Sequence, residues 1–405
     1  MFSWHKTVLS VYLACLILFS VVLLLGRGRS LNQLFLEPLD GTFSVLGTSS
    51  VFKKYLDGVR VYAFLPYWSI DGRKLDVSSV TDLAYFGLTV SGNGRIVTTD
   101  GNYKIWKDSK DLQKAISSVK KAGGRVSVTL IGHNDADIDA ILSCKDCWAA
   151  LVQDVTAELN RAEITDINVD FEYSGYTTRE KSQSYSSLVG FLNTSLDKEF
   201  GGDAYVVVST FADSVEKSER ESVRLTDPKS LAENADALFI MAYDFHRPES
   251  AHAGPVAPLE GTYSTTGLNV TKALDGYLEV VPKTKLFLGL PFYGYDWVVE
   301  STKPRSARIQ GNDLIGYSRV ITYAQVLDLL IKKNLTKEWD AVAKTPYVNY
   351  VDEETQALRQ VYFDDKDSLS YKVALAKSRG LLGVGVWALG YEGGYYDIWD
   401  IFAKR

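Results

Sequence analysis

Ile164-Thr165-Asp166-Ile167-Asn168-Val169-Asp170-Phe171-Glu172 alternates in character from Ile167 onward. Ile167, Val169 and Phe171 are apolar, while Asn168, Asp170 and Glu172 are polar and spaced by two. Successive side chains of a strand point to opposite faces, so the three polar groups share one face and the apolar three the other. Two carboxylates side by side on one strand face cost free energy unless they are hydrogen-bonded or share a proton. A solvated strand face is the bland explanation. A catalytic site is the stronger one, because nothing structural requires such a row.

Outward from this stretch, short apolar runs alternate with helical patterns. Strands are predicted over 61–66 (VYAFLP), 83–88 (LAYFGL), 125–131 (RVSVTLI), 167–171 (INVDF), 205–210 (YVVVST), 237–243 (ALFIMAY), 285–291 (KLFLGLP) and 383–389 (GVGVWAL). Helices are predicted over 111–121, 148–161, 180–196, 268–280 and 371–379, with Gly123-Gly124 and Gly380 as stops. Eight strands alternating with helices read as a TIM (β/α)8 barrel. One spacing breaks the rhythm. About 90 residues separate the seventh and eighth strands, where a plain unit takes about 30. Residues 298–366 hold a helical segment, TYAQVLDLLIKK, followed by β-like segments. We read them as a small α+β insertion on the catalytic face.

The carboxyl ends of the strands are where a barrel of this kind places its chemistry. Leu65-Pro66-Tyr67-Trp68 ends the first, Glu172-Tyr173 the fourth and Met241-Ala242-Tyr243-Asp244 the sixth. Phe292-Tyr293-Gly294-Tyr295-Asp296-Trp297 ends the seventh, and Trp387-Ala388-Leu389-Gly390 the eighth. Singly, each has a plain structural explanation. Trp68, Trp297 and Trp387 could cap the core, and Asp244 could be a helix N-cap. Together with Glu172 they mark a cleft with Met241 and Tyr293 among its walls.

The stretch 165–172 resembles the signature of glycoside hydrolase family 18, the chitinase family. MAYD, GLPFYG, GVGVWALG and the closing segment DDKDSLSYKVALAKSRGLLGVGVW are similar to that family's motifs on the corresponding strands, so the resemblance spans residues 59–401. It implies that Glu172 is the general acid and then the base that activates water. It implies further that Asp170 and Tyr243 hold the substrate's 2-acetamido group, that Asp244 lines the same subsite, that Trp387 forms its floor and that Asn168 supports Asp170. Three positions depart from the pattern. Thr165 stands for an aspartate that supports the pair from below, Phe64 for a tyrosine, and Leu130-Ile131-Gly132-His133 for serine-isoleucine-glycine-glycine.

The function expected is retaining, substrate-assisted hydrolysis of β-1,4-linked N-acetylglucosamine polysaccharide, chitin or peptidoglycan. The alternative is a chitinase-like lectin without turnover. A net charge of −6 over 405 residues, with no basic run, argues against a nucleic-acid partner. We expect a monomer. The four histidines (5, 133, 246, 252) and a lone CxxC show no zinc spacing, and there is no phosphate-binding Gly-rich loop, so neither metal nor cofactor is expected. Cys144 and Cys147 read as a local disulfide in an oxidising compartment, with a redox motif as the other reading. Val8 to Leu25 is an uninterrupted apolar run just long enough to span a bilayer, with no small-residue cleavage site after it. Residues 1–30 therefore read as a membrane anchor, or alternatively a secretory signal sequence. Residues 31–57 read as a linker and 58–405 as an extracytoplasmic catalytic barrel.

Overall fold

The computed structural model describes residues 59–70, 75–215, 222–262 and 267–402. The apolar run at 8–25 and the linker at 31–57 lie outside these. Among the described residues no helix is long and apolar enough to cross a membrane.

Eight parallel strands close into a barrel: β1 (Arg60–Pro66), β2 (Asp82–Thr89), β3 (Arg125–Gly132), β4 (Asp166–Phe171), β5 (Val206–Phe211), β6 (Ala237–Met241), β7 (Leu286–Pro291) and β13 (Gly383–Trp387). Neighbours pair in chain order, and β1 meets β13 to complete the ring. All eight predicted strands are present. From β2 onward each connection between neighbouring barrel strands carries at least one helix, as parallel crossovers do, whereas β1 is followed by a 3-10 turn at Tyr67–Ser69.

The alternation of β4 is realised as read. Ile167, Val169 and Phe171 belong to the large core shared with the surrounding helices, while Asp166, Asn168 and Asp170 face the barrel axis and are buried. Phe171 stacks on Tyr185 at 5.6 Å. Such a fully buried aromatic contributes roughly 1.5–3 kcal/mol by removal from water. The barrel interior is filled by a second cluster that includes Tyr62, Phe64, Phe86, Phe239 and Phe287. It is a packed plug and not a pore.

Helices flank the sheet: α1 (Gly101–Asp108), α2 (Lys110–Lys121), α3 (Asp135–Ser143), α4 (Lys145–Ala162), α5 (Arg179–Phe200), α6 (Pro228–Asn234), α7 (Val270–Val280) and α9 (Lys366–Arg379). Two begin earlier than their apolar pattern shows. In α4 the Cys144–Cys147 disulfide closes the first turn, with Cys144 as the N-cap. In α9 the start is set by a capping box between Asp365 and Ser368, a polar signal ahead of the periodic one. Gly380 ends α9 in the left-handed conformation, at φ 69°.

The inserted unit is an antiparallel sheet in the order β10-β11-β12-β8-β9. Its strands are β8 (Tyr293–Val298), β9 (Arg319–Thr322), β10 (Glu338–Asp340), β11 (Thr345–Val351) and β12 (Leu358–Phe363), and it carries one helix, α8 (Tyr323–Lys332). It starts at Tyr293, ahead of position 298. Tyr293 to Val298 is a strand of the insertion and not the tail of β7. Its apolar residues Tyr293, Tyr295 and Trp297 pack with Tyr347 and Tyr362 of the inserted sheet, which is why they do not continue the barrel.

Candidate active site

The carboxyl ends of β4, β6 and β13 and the start of β8 border a cleft of about 530 Å3. Asp170, Glu172, Met241, Tyr243, Asp244, Tyr293 and Trp387 all line it, together with Phe64 and Arg247. Trp68 stands at the rim, 46% exposed, with its ring 6.1 Å from that of Trp387. Its indole N–H donates to the Tyr391 hydroxyl at 3.2 Å. Trp297, by contrast, is fully buried in the inserted sheet and donates to the Arg247 carbonyl at 3.1 Å.

Glu172 follows directly on β4, and its backbone N–H donates to the Gly132 carbonyl at 2.8 Å. The parallel register sets Ile131 against Asp170 and Gly132 against Phe171, so the next residue, His133, comes level with Glu172. His133 Nε2 lies 3.6 Å from Asp170 Oδ2 and 3.5 Å from Glu172 Oε1. Burial first, and the neighbouring Asp170 charge second, push the Glu172 carboxyl up to about 7, while His133 and Arg247 pull the other way. Burial disfavours the charged form of His133, but contact with Asp170 and the charges of Asp170 and Glu172 outweigh it and raise the imidazole above its ordinary value. Donor atoms of His133, Asp170 and Glu172 lie within 4.8 Å of one another, a spacing that shared protons or a small cation could bridge.

The opposite wall is made of hydroxyls. Asp244, at φ 60°, turns out of the end of β6, and its Oδ1 accepts from the hydroxyls of Tyr293 and, at 2.7 Å, Tyr295. Arg247 Nε approaches its other oxygen at 3.6 Å. Tyr243 is held well above its ordinary value, by burial and then by the charges of Asp170, Asp244 and Glu172, so it stays a hydrogen-bond donor. Phe64 and Phe86 flank Trp387, their rings 5.5 and 4.8 Å from the indole.

Several expected supports are placed differently. Asn168 is fully buried below the cleft and gives its amide to the Val207 carbonyl and the Ser209 hydroxyl, both at 3.3 Å. Its hydrogen bonds run to β5 and not to Asp170. Thr165 sits at the opposite end of β4, where its hydroxyl donates to Asp166 at 2.8 Å. It lies five positions before Asp170, about 16 Å along the strand, so its identity does not reach the pair. Leu130 packs in the helix-facing core, and its neighbours Thr129 and Ile131 face the barrel axis, Ile131 in register with Asp170. Phe64 does occupy the interior and brings no hydroxyl. His133 was legible only as a departure from the family pattern. The signal that would have found it is the register, which carries a residue just past β3 to the level of Glu172.

The family model for glycosyl hydrolases family 18 matches residues 60–392. The chain belongs to that family. Among curated relatives, chitinase A1 of Niallia circulans is 26% identical over 75% of this chain and 44% of its own length. The di-N-acetylchitobiase of Mus musculus is 26% identical over 57% of this chain and 62% of its own length. The putative sporulation-specific glycosylase YdhD of Bacillus subtilis is 23% identical over 69% and 60%. The chain thus spans about half to two-thirds of the length of these relatives. In fold it is similar to the group IV chitinase of Ostrinia furnacalis, with a TM-score of 0.72 at 20% identity over 85% of this chain and 97% of that one. It is also similar to the spore cortex-lytic enzyme SleL of Bacillus megaterium, at 0.65 and 19% over 85% and 74%.

Proposed function

We propose that this glycosyl hydrolase cleaves β-1,4-linked polysaccharides of N-acetylglucosamine with retention, using the substrate's own 2-acetamido oxygen as nucleophile. The observation that carries this reading is the unequal treatment of the cleft carboxylates. Glu172, 35% exposed at its side chain, keeps its proton near neutral pH. A proton at that pH suits a general acid. The other cleft carboxylates are engaged: Asp244 by two tyrosine hydroxyls and Arg247, and Asp213 by a bidentate Arg224. Neither of these two is free to attack an anomeric carbon as in a two-carboxylate retaining site. Asp170, 3% exposed, has a buried oxygen Oδ1 with no partner among the described residues, which suits a carboxylate awaiting an amide N–H.

In this mechanism Glu172 gives its proton to the glycosidic oxygen while the acetamido oxygen closes on the anomeric carbon. Asp170 and Tyr243 hold that group in line, and proximity replaces a second encounter. Glu172, now ionised, then takes a proton from the water that opens the cyclic intermediate. Trp387 supplies the apolar floor under the sugar ring, and Trp68 extends it at the rim. A lectin-like barrel would bind the same sugars and release nothing. Incubating the protein with chitooligosaccharides and with purified peptidoglycan, followed by mass analysis, separates the two. Fragments carrying new reducing ends support the hydrolase; intact polymer retained on the protein supports the lectin.

We further infer that the barrel works outside the cytoplasm, held by the apolar run at 8–25. The Cys144–Cys147 disulfide supports an oxidising compartment. Protease added to intact cells should remove the barrel. A soluble protein whose N-terminus lies beyond Arg29 would instead mark a cleaved signal sequence.

A further inference from the structure

The mechanism above leaves the cationic neighbour of the Asp170–Glu172 pair without a task. His133 stands at the end of β3 with its side chain 44% exposed, and among the described residues it is the one cationic group within ion-pairing distance of Asp170. Around Asp170 the other polar supports are missing or turned away. Asn168 bonds to β5, Phe64 carries no hydroxyl, and Oδ1 has no partner. A buried carboxylate with one orphaned oxygen is free to rotate unless something fixes the other. Nε2 of His133 is placed to do so, and the same atom faces Glu172.

We propose that His133 is the positioning residue of this pair, fixing the resting orientation of Asp170 and setting the charge against which Glu172 holds its proton. The inference rests on the assignment of Glu172 and Asp170 to catalysis. Its placement comes from the backbone. The Glu172 N–H bond to the Gly132 carbonyl locks the ends of β3 and β4 together, and a Cβ at Gly132 would come within 2.7 Å of the Phe171 ring. The groups around the imidazole are few. Asp170 and Glu172 face it from β4, and the Phe86 ring lies 6.0 Å away on β2. Arg247 and Asp244, beyond β6, act on Glu172 from the far side. Glu172 and His133 therefore titrate together. A protonated His133 favours the ionised form of Glu172. Removing it makes Glu172 bind its proton more tightly, so the limb of the pH profile that Glu172 governs moves to higher pH.

The test uses the full chain carrying 13C-labelled Asp and Glu carboxyls, as parent, His133→Ala, His133→Asn and Glu172→Gln. The Gln variant identifies the Glu172 signal and serves as the inactive control. Carboxyl NMR titration should show Glu172 moving up by roughly one pH unit in both His133 variants. The pH profile of kcat/KM should move the same way. His133→Ala should lower kcat by roughly tenfold, and His133→Asn, which keeps a donor without the charge, should restore most of it while keeping the pH shift. An unmoved Glu172 signal with only a raised KM would make His133 a sugar contact and overturn the proposal. Full turnover in Glu172→Gln would remove the underlying assignment instead. The NMR shift is read whether or not the chain turns over.

Discussion

The two ends of β4 carry the same kind of residue and treat it in opposite ways. At the amino end Asp166, 6% exposed at its side chain, receives Nε and Nη2 of Arg125 at 2.7 and 2.6 Å and the Thr165 hydroxyl at 2.8 Å. Beside it Arg60 donates to both oxygens of Asp82 through Nε and Nη2, and the Tyr205 ring lies 4.5 Å from the Arg60 guanidinium and 5.1 Å from that of Arg125. Every carboxylate there has a matched partner. At the carboxyl end the one ion-pair partner of Asp170 and Glu172 among the described residues is His133, at 3.5–3.6 Å, and one buried oxygen of Asp170 is left over. A paired carboxylate keeps the barrel closed. An under-paired one is free to exchange protons and to receive a substrate N–H. The same alternating strand therefore supplies stability at one end and reactivity at the other, as barrels of this architecture do.

Substitutions at the two ends should separate these properties. The largest effect expected is from Glu172→Gln, which removes the proton donor. Turnover should fall by about 10²–10⁴-fold while the thermal midpoint and sugar binding stay near those of the parent. Near-normal turnover in the folded variant would dissolve the distinction. At the other end Arg125→Met leaves Asp166 buried and unmatched. It should cost roughly 2–3 kcal/mol in a denaturant titration, less than a fully buried pair because the arginine is 41% exposed, with kcat unchanged. A loss of activity without a loss of stability would contradict that assignment.

Milder tests sharpen the picture of the mouth. Because Glu172 acts in its protonated form and its carboxyl lies at about 7, kcat/KM should decline about tenfold per pH unit once pH rises above that value. A flat profile to pH 9 would mean that some other group donates. Smallest is Tyr293→Phe, which deprives Asp244 of one hydroxyl. A loss of roughly five- to tenfold in kcat/KM is expected, because hydrogen bonds to a charged acceptor contribute about 1.5 kcal/mol or more and Tyr295 still serves Asp244. No change at all would show that the hydroxyl wall is not used.

Much of this was legible before any coordinates. Strand periodicity located all eight barrel strands, because parallel strands buried on both faces write themselves as apolar runs. Asp170, Glu172, Tyr243, Asp244 and Trp387 follow from the rule that strand ends carry the chemistry, and they do meet in one cleft. What the pattern missed was set by polar or cross-strand geometry. The early starts of α4 and α9 depend on a disulfide turn and a capping box. Tyr293 to Val298 reads as a continuation of β7, yet its partner is β12. Asn168 reads as a neighbour of Asp170, but its amide finds closer acceptors on β5. Thr165 lies near the pair in sequence and away from it in space, and Leu130 turns its side chain to the helix layer, whereas His133 is far in sequence and adjacent in space. Register decides such contacts, and a single strand does not encode it.

The central claim is that the substrate completes the mouth of the barrel, its 2-acetamido oxygen and not an enzyme carboxylate being the nucleophile. A chitooligosaccharide in which only the sugar at the cleaved bond lacks its acetyl group tests this most directly, compared with the fully acetylated oligomer under identical conditions. The acetylated oligomer should be cut to a product released first in its β configuration, and the deacetylated one should bind and remain intact. Cleavage of the deacetylated oligomer at a comparable rate would mean that the chain supplies its own nucleophile, and the account of Asp170 and Glu172 given above would be wrong.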